Sequence, residues 1–163
     1  MSASMEGISR FLDQHRIAML GVSHNSKDFS VLLFKELLRR GYEMIPVNPV
    51  AKEICGKPCY AQVQDVKPPV KAALLMTPAK ITEQVAHDCV MAGVQMIWMY
   101  RATGMGAVHE EAIRFCRERG IEVIPGECPF MFLPETGAIH RAHGFWRKIT
   151  GHYPKSGVDV QTD

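Results

Sequence analysis

The chain has 163 residues, the size of one ordinary domain, and 47% of them are hydrophobic, which is enough for a sizeable core. Its net charge of +2 is too small to indicate a nucleic-acid-binding protein, and no apolar run approaches the roughly 20 residues of a membrane span. The N-terminus lacks the basic and then apolar stretches of a secretion signal, so we expect a cytoplasmic protein.

The apolar pattern alternates along the chain between short unbroken runs and helical spacing. It predicts a short helix over 4–14, a strand over 16–21, a helix over 30–41 and a strand over 42–47. Ser30 would cap the second helix and Gly41 would end it. A loop rich in proline and glycine follows over 49–69.

Beyond this loop, the pattern predicts strands over 71–77, 95–100 and 121–125, and helices from Pro78 to about 92, over 106–120 and over about 136–150. Residues 154–163 would form a disordered tail. Short apolar strands that alternate with helices are typical of α/β proteins. We therefore expect a Rossmann-like, doubly wound sheet of five mainly parallel strands flanked by helices, plus a C-terminal helix, in one domain over 1–153.

Ligands of such sheets bind beyond the carboxyl ends of the strands. After the first predicted strand, Gly21 would let the backbone approach a ligand, Ser23 and Ser30 would offer hydroxyl groups, and Lys27 would add a positive charge. The N-terminus of the next helix favours an anion. The same stretch could also be a plain strand-to-helix connection, since it has one glycine where a dinucleotide fingerprint has three.

The end of the second predicted strand distinguishes between ligands. Enzymes that use NAD place a carboxylate there for the ribose hydroxyls, whereas this chain has Asn48 and Pro49, followed by Lys52. A lysine suits a nucleotide with an extra phosphate on its ribose, such as NADP or coenzyme A, or is a solvated loop residue. At the end of the third strand, Thr77 and Pro78 would lie against a ligand or simply begin a helix.

These loops together resemble a known family. The stretches GVSHNSKDFS, PVNP, LLMTPA, WMY and GECPFMFL, within about residues 14–135, are similar to stand-alone coenzyme A-binding proteins and to the N-terminal domain of the succinyl-CoA synthetase alpha subunit. The resemblance implies that coenzyme A or an acyl-CoA binds in the crevice at the carboxyl edge. It also implies a carrier, sensor or regulatory module without ligase chemistry, because we expect no second domain with the synthetase's phosphorylated histidine.

The resemblance further implies which residues bind each part of the ligand. They are Gly21, Val22, Ser23, Lys27, Phe29 and Ser30 for the phosphates, Val47, Asn48 and Pro49 for the adenosine part, and Met76, Thr77, Pro78 and Met99 for the pantetheine. Lys52 lies near a lysine that the synthetase uses for the ribose phosphate, although the neighbouring glycines are missing here.

The five cysteines form no CxxC pair, which favours free thiols over disulfides. Cys128 follows the last predicted strand and would either fill space in the last loop or exchange with the thiol of coenzyme A. His140 and His143 lie three residues apart, but no fourth zinc ligand stands at a recognisable spacing, so we predict no metal site. The apolar residues of the predicted last helix would dock it on the domain, on a second copy of the chain or on another protein.

No nucleophile and base stand at a recognisable catalytic spacing, so we predict no catalytic residue. Two alternatives to a coenzyme A-binding module stay open. One is an NADP-dependent oxidoreductase, which would share the fold and tolerate the missing carboxylate. The other is a protein-interaction module with a vestigial nucleotide site.

Overall fold

The computed structural model describes residues 3–101 and 106–134. The strands are β1 Arg16–Leu20, β2 Glu43–Val47, β3 Glu53–Ile54, β4 Lys57–Pro58, β5 Ala72–Leu75, β6 Met96–Met99 and β7 Glu122–Pro125, and the α-helices are α1 Met5–Leu12, α2 Phe29–Arg39, α3 Ala79–Met91 and α4 Glu110–Glu118. Five strands form the central sheet in the order β2-β1-β5-β6-β7, and all its neighbours are parallel. The predicted Rossmann-like α/β fold is therefore confirmed.

The central sheet separates two apolar layers. On one face, α3 and α4 pack over side chains such as Leu75 and Met99, and on the other face α1 and α2 pack over side chains such as Leu74 and Trp98. Strands that are covered on both faces need apolar residues at every position. This is why unbroken apolar runs, rather than alternation, marked these strands in the sequence.

Both edge strands of the central sheet contain a proline. Pro46 lies in β2 and Pro125 in β7, where a missing N–H leaves no gap in the ladder of hydrogen bonds. The chain after β2 folds back beside it, since the N–H of Tyr60 donates to the carbonyl of Pro46 at 3.0 Å. The predicted loop over 49–69 thus contains the small hairpin β3–β4 and a 3-10 turn over Val63–Asp65.

The N-terminal cap of α2 was predicted wrongly. The cap is Asp28 rather than Ser30, and a side-chain oxygen of Asp28 accepts the N–H of Ser30 at 2.8 Å. The other end of α2 is as predicted, because Gly41 has a φ of +88° and its N–H donates to the carbonyl of Leu38.

The starts of α3 and α4 also differ from the prediction. Pro78 is the cap of α3 rather than its first residue. α4 begins at Glu110, because Nδ1 of His109 accepts the N–H of Ala112 and caps the helix there. The helix predicted over 136–150 and the tail over 154–163 lie outside the described residues, so the domain boundary at 153 stays a prediction.

Trp98 offers a test of the packing between α1 and the sheet. Its side chain is wholly buried, its indole N–H donates to the carbonyl of Glu127 at 2.9 Å, and its ring meets Phe11 edge-on at 5.3 Å. Trp98→Phe should lower the free energy of unfolding by about 2 kcal/mol, because it removes the hydrogen bond and leaves a cavity. The melting temperature should fall by roughly 4–8 °C.

The control for this prediction is Leu32→Ala on the outer side of α2, where the side chain is 53% exposed. It should change the free energy of unfolding by less than about 0.5 kcal/mol. Equal losses from the two substitutions, measured by urea unfolding, would contradict the packing described for Trp98.

Candidate functional site

The crevice predicted at the carboxyl edge of the sheet lies between β1 and β5. β2 lies on one side of this central pair, and β6 and β7 lie on the other, so the strand order reverses here. The loops that follow β1 and β5 therefore leave the sheet in opposite directions. Ligands of open α/β sheets bind in the cleft that such a reversal creates.

Gly21 is the point where the two sides of this crevice touch. The chain turns at Gly21 with a φ of +85°. A Cβ atom at this position would lie 3.0 Å from the carbonyl carbon of Met76 and 3.0 Å from Cγ2 of Thr77. Because a side chain would be strained by the backbone angle and crowded by its neighbours, only glycine suits this position.

Asn48 ties the end of β2 to the loop that follows β1. Its Nδ2 donates to the carbonyl of Val22 at 2.9 Å, and its Oδ1 accepts the N–H groups of Val50 and Ala51 at 2.9 and 3.2 Å. Both lone pairs of the oxygen are thus used, and one N–H of the amide is left. The main role of Asn48 in the structure is to hold these two loops together.

The loop after β1 is braced by its own side chains. The hydroxyl of Ser30 donates to Oδ1 of Asp28 at 2.5 Å and accepts the N–H of Ser23 at 3.0 Å. The hydroxyl of Ser23 accepts the N–H of Asn25 at 3.0 Å. Ser30 is 3% exposed and its hydroxyl hydrogen already has an acceptor, so the side chain of Ser30 stabilises the loop through these hydrogen bonds.

Several backbone N–H groups near the crevice have no acceptor within the described ranges. In the first loop these are the N–H groups of His24 and Ser26. α3 begins without a side-chain cap, which leaves the N–H groups of Ala79 and Lys80 open. Since open N–H groups at a helix N-terminus attract anions, partial positive charge borders the crevice on two sides.

Two lysines add full charges to this edge of the sheet. Lys27 stands on the loop after β1, and Lys52 lies between β2 and β3. Both side chains are exposed, and neither forms an ion pair with any residue in 3–101 or 106–134. The carboxylate of Asp28 lies at the start of α2 and offsets positive charge there.

Two hollows meet at Thr77. The larger hollow has a volume of about 450 Å³ and lies towards α3, and the smaller hollow has a volume of about 250 Å³ and lies towards α2. Thr77 borders both, is 4% exposed, and shares a hydrogen bond with the hydroxyl of Thr82 at 3.1 Å. The two hollows thus lie on either side of Thr77, at the strand-order reversal.

Most of the sequence-predicted binding residues line one of these two hollows. Those that line one hollow or both are Gly21, Phe29, Ser30, Val47, Pro49, Met76, Thr77 and Pro78. Val22, Ser23 and Asn48 shape the loops without lining either hollow, and Lys27 and Lys52 also line neither. Met99 is wholly buried in the layer beneath α3 and α4, and its neighbour Tyr100 reaches the smaller hollow instead.

No sequence pattern predicted the aromatic group that stands at the smaller hollow. Phe29 stacks on Tyr100 with ring centres 5.3 Å apart and contacts Phe130 at 5.6 Å. Burial, with smaller contributions from Cys128 and Asp28, raises the pKa of Tyr100 to about 12. Its phenol therefore stays neutral near pH 7 and keeps its O–H as a donor.

Cys128 follows β7 and is 7% exposed. This burial favours the interpretation that it fills space, and its exchange with coenzyme A stays a prediction. His140 and His143 lie outside the described residues. Across 3–101 and 106–134, no group of three or more metal-ligating side chains could hold an ion, and no helix is long and apolar enough to cross a membrane.

A third cavity, of about 430 Å³, lies between α4 and the ends of β6 and β7. Its charged lining is mixed, with the cations Arg101, Arg114 and Arg117 and the anions Glu110, Glu111 and Glu118. Arg114 is already paired with Glu111. The crevice at the strand-order reversal is the better candidate site, because ligands of open α/β sheets bind at such a reversal.

Comparison with known proteins identifies the family. Residues 15–134 match a family model described as a CoA binding domain. Because this match covers most of the chain, the chain belongs to that coenzyme A-binding domain family, and the resemblance seen in its loops is confirmed.

Three relatives illustrate the breadth of the family. The chain is 27% identical over 113 residues to the uncharacterized protein YneT of Bacillus subtilis, covering 69% of this chain and 81% of that protein. It is 26% identical over 132 residues to the ADP-forming acetate–CoA ligase II of Archaeoglobus fulgidus, covering 79% of this chain but only 19% of the ligase. A hypothetical protein from Pyrococcus horikoshii has the same fold, with a TM-score of 0.71, 26% identity, and coverage of 76% of this chain and 85% of that one.

Gly21 and Gly41 form a matched pair that tests the close contact in the crevice. Both have φ near +85°, at +85° and +88°, but a Cβ atom at Gly41 would meet nothing within 4 Å. Gly41→Ala should therefore lower the free energy of unfolding by about 1 kcal/mol through backbone strain alone, and Gly21→Ala by about 2–3 kcal/mol, because crowding is added. Urea unfolding measures both values, and equal losses would contradict the contact of Gly21 with Met76 and Thr77.

Proposed function

We propose that the chain binds coenzyme A or an acyl-CoA in the crevice between the ends of β1 and β5, as a carrier, sensor or regulatory module without ligase chemistry. The ligand crosses the strand-order reversal, with Thr77 at the middle of its path. Two facts support this proposal: the chain belongs to the coenzyme A-binding domain family, and two hollows that share Thr77 lie at the strand-order reversal.

The single observation that carries the proposal is the contact of Gly21 with Met76 and Thr77. It holds together the ends of two strands whose following loops diverge, and Thr77 beside it lines both hollows. An elongated molecule with a charged end and a neutral end would occupy both hollows by passing Thr77. Coenzyme A is elongated in this way, with a phosphorylated adenosine at one end and a pantetheine thiol at the other.

The phosphates of the ligand are best held near the start of α3 and on the outer part of the first loop. The open N–H groups of Ala79 and Lys80 attract anions, and Lys27 adds a positive charge. Asp28 already occupies the cap position of α2 with its carboxylate, so a phosphate would be repelled there. Gly21 lets the backbone come close to the ligand between these two places.

The adenosine part fits the end of β2. Val47 and Pro49 give the larger hollow an apolar wall at this end. No carboxylate stands directly at the end of β2, which disfavours recognition of the ribose hydroxyls of NAD, and Lys52 supplies a charge for a ribose phosphate instead. We also propose that the protein works in the cytoplasm, where cysteines are kept reduced, because its five cysteines form no disulfide.

Lys27 and Lys71 provide a matched test of the location of the ligand. Lys27 stands at the carboxyl edge of the sheet, whereas Lys71 is an exposed lysine immediately before β5, at the opposite edge. Lys27→Ala should weaken binding of coenzyme A about five- to tenfold through loss of a charge-assisted contact, and Lys71→Ala less than about twofold. Titration calorimetry with the unmodified chain and both variants measures the dissociation constants.

The same titrations are repeated with NADP to separate the alternatives. Binding of NADP without binding of coenzyme A would contradict the proposal and favour the oxidoreductase. Binding of neither ligand would contradict it in favour of an interaction module. Equal weakening of coenzyme A binding by Lys27→Ala and Lys71→Ala would contradict the location of the ligand at the carboxyl edge.

Dephospho-coenzyme A lacks only the ribose phosphate of coenzyme A and therefore allows a separate test of Lys52. Lys52→Ala should weaken binding of coenzyme A about fivefold and leave the dissociation constant of dephospho-coenzyme A within about twofold, since the latter has no phosphate for Lys52 to contact. Equal loss for both ligands would show that Lys52 does not recognise the ribose phosphate. The exposed Lys57 on β4 provides the control substitution.

A further inference from the structure

An apolar groove lies between α1 and the chain that follows β7, on the face of the sheet opposite α3 and α4. Its volume is about 320 Å³. The described residues that line this α1 groove are Met5, Ile8, Ser9, Leu12, Met131, Phe132, Leu133 and Pro134. All of them except Ser9 are apolar, so the groove suits an apolar occupant and not the phosphates of a nucleotide.

The groove exposes an apolar face of α1 that does not cover the sheet. Ile8 follows Met5 by three residues and Leu12 follows Ile8 by four, so the three side chains share one side of the helix. Phe11 is 1% exposed and packs on Trp98 in the sheet, whereas Met5 and Leu12 are only half-buried. An exposed apolar face of this kind marks a docking surface.

The chain beyond the described residues starts at the groove itself. Pro134 lines the groove, and residues 135–163 follow it. A fully extended chain covers at most about 3.5 Å per residue, so Ile139 stays within about 18 Å of Pro134. A tether this short gives the following segment an effective concentration in the millimolar range at the groove. The segment therefore has an advantage over any separate molecule at micromolar concentration.

The amino-acid sequence of residues 136–150 has the apolar pattern that such a groove requires. Ile139, Ala142, Trp146 and Ile149 recur at intervals of three or four residues. This spacing places them on one side of the helix that the sequence predicts here. The predicted helix thus has an apolar side that must be covered.

A helix in this segment also needs a surface on which to pack. Isolated helices of about 15 residues are marginal in water, and Gly144 lowers the helix propensity further. Ile139 and Trp146 are seven residues apart, as are Met5 and Leu12, so each pair spans about 10 Å along a helix. The apolar side of the segment therefore matches the α1 groove in length.

We propose that residues 136–150 form a helix that docks in the α1 groove, with Ile139 and Trp146 against Met5 and Leu12. The occupant of the groove is thus the chain's own C-terminal segment, and the docked helix becomes a further layer over α1.

Docking in the α1 groove also stabilises one side of the candidate site. Met131 lines the groove and ends the 3-10 turn Pro129–Met131. Phe130 in the same turn contacts Phe29 at 5.6 Å, beside the smaller hollow. The docking needs no ligand, so it is independent of the function proposed above.

Oxidation of methionines by hydrogen peroxide, followed by mass spectrometry, tests the docking in the full chain. Met5 should oxidise slowly because the docked segment covers it, whereas Met91 at the end of α3 is 80% exposed and should oxidise freely. Trp146→Ala should raise the oxidation rate of Met5 about fivefold and change that of Met91 less than about twofold. Tyr153→Ala, beyond the segment, should change neither rate.

Met19 reports on folding in the same samples, because its side chain is wholly buried. If Trp146→Ala also exposes Met19 to oxidation, the variant is unfolded, and Ile139→Ala replaces it in the comparison. A folded variant in which Met5 stays as protected as before would overturn the docking. So would equal increases at Met5 and Met91.

Protein concentration distinguishes the chain's own segment from a second copy. Protection of Met5 should be the same at about 1 μM and about 100 μM, since a tethered segment docks within one molecule. Protection that develops only at the higher concentration would assign the groove to a second copy and overturn the proposal.

Nuclear Overhauser effects locate the docked segment directly. The ring protons of Trp146 should contact the methyl groups of Met5 and Leu12, and these signals should disappear in Trp146→Ala, which distinguishes them from signals of Trp98. Contacts of Trp146 with α3 or α4, or an absence of contacts with α1, would contradict the proposed location.

Discussion

The close packing of Gly21 against Met76 and Thr77 is the contact on which the rest of the site depends. β1 and β5 are neighbours in the sheet, but the loops that follow them leave in opposite directions, and this contact lies where they part. The N–H of Gly21 also donates to the carbonyl of Val47, and the N–H of Met76 donates to that of Leu20. The ends of three strands are therefore joined at one place, at a turn with a single glycine.

The starts of the two helices at the crevice differ in charge. Asp28 caps α2 with a carboxylate, whereas α3 has no side-chain cap and keeps its first N–H groups open. Each hollow has one carboxylate in its described lining, Asp28 in the smaller and Asp88 in the larger. Lys27 and Lys52 add positive charge at the same edge of the sheet. A ligand with a phosphorylated end and a neutral end suits this difference between the helix starts, and the family to which the chain belongs is that of coenzyme A-binding domains.

The sheet and the position of the crevice could be predicted from the sequence, because buried parallel strands require unbroken apolar runs and glycine marks the turn after β1. The cap of α2 could not, since Asp28 and Ser30 are both good caps two residues apart, and a tertiary contact from Ser23 occupies the hydroxyl of Ser30. The hairpin strands β3 and β4 have two residues each, which is too short for any periodicity. The aromatic group at the smaller hollow consists of side chains that are far apart in the chain, so only the fold reveals it.

The most direct test of the account maps the bound ligand by nuclear magnetic resonance. Backbone amide signals of the 15N-labelled chain are followed during titration with coenzyme A. The account predicts the largest changes at Gly21, Thr77 and Ala79, and none at the opposite edge of the sheet, for example at His15 and Lys71. Changes concentrated on α4, along the cavity lined by Arg101 and Arg117, would place the ligand elsewhere and contradict the account.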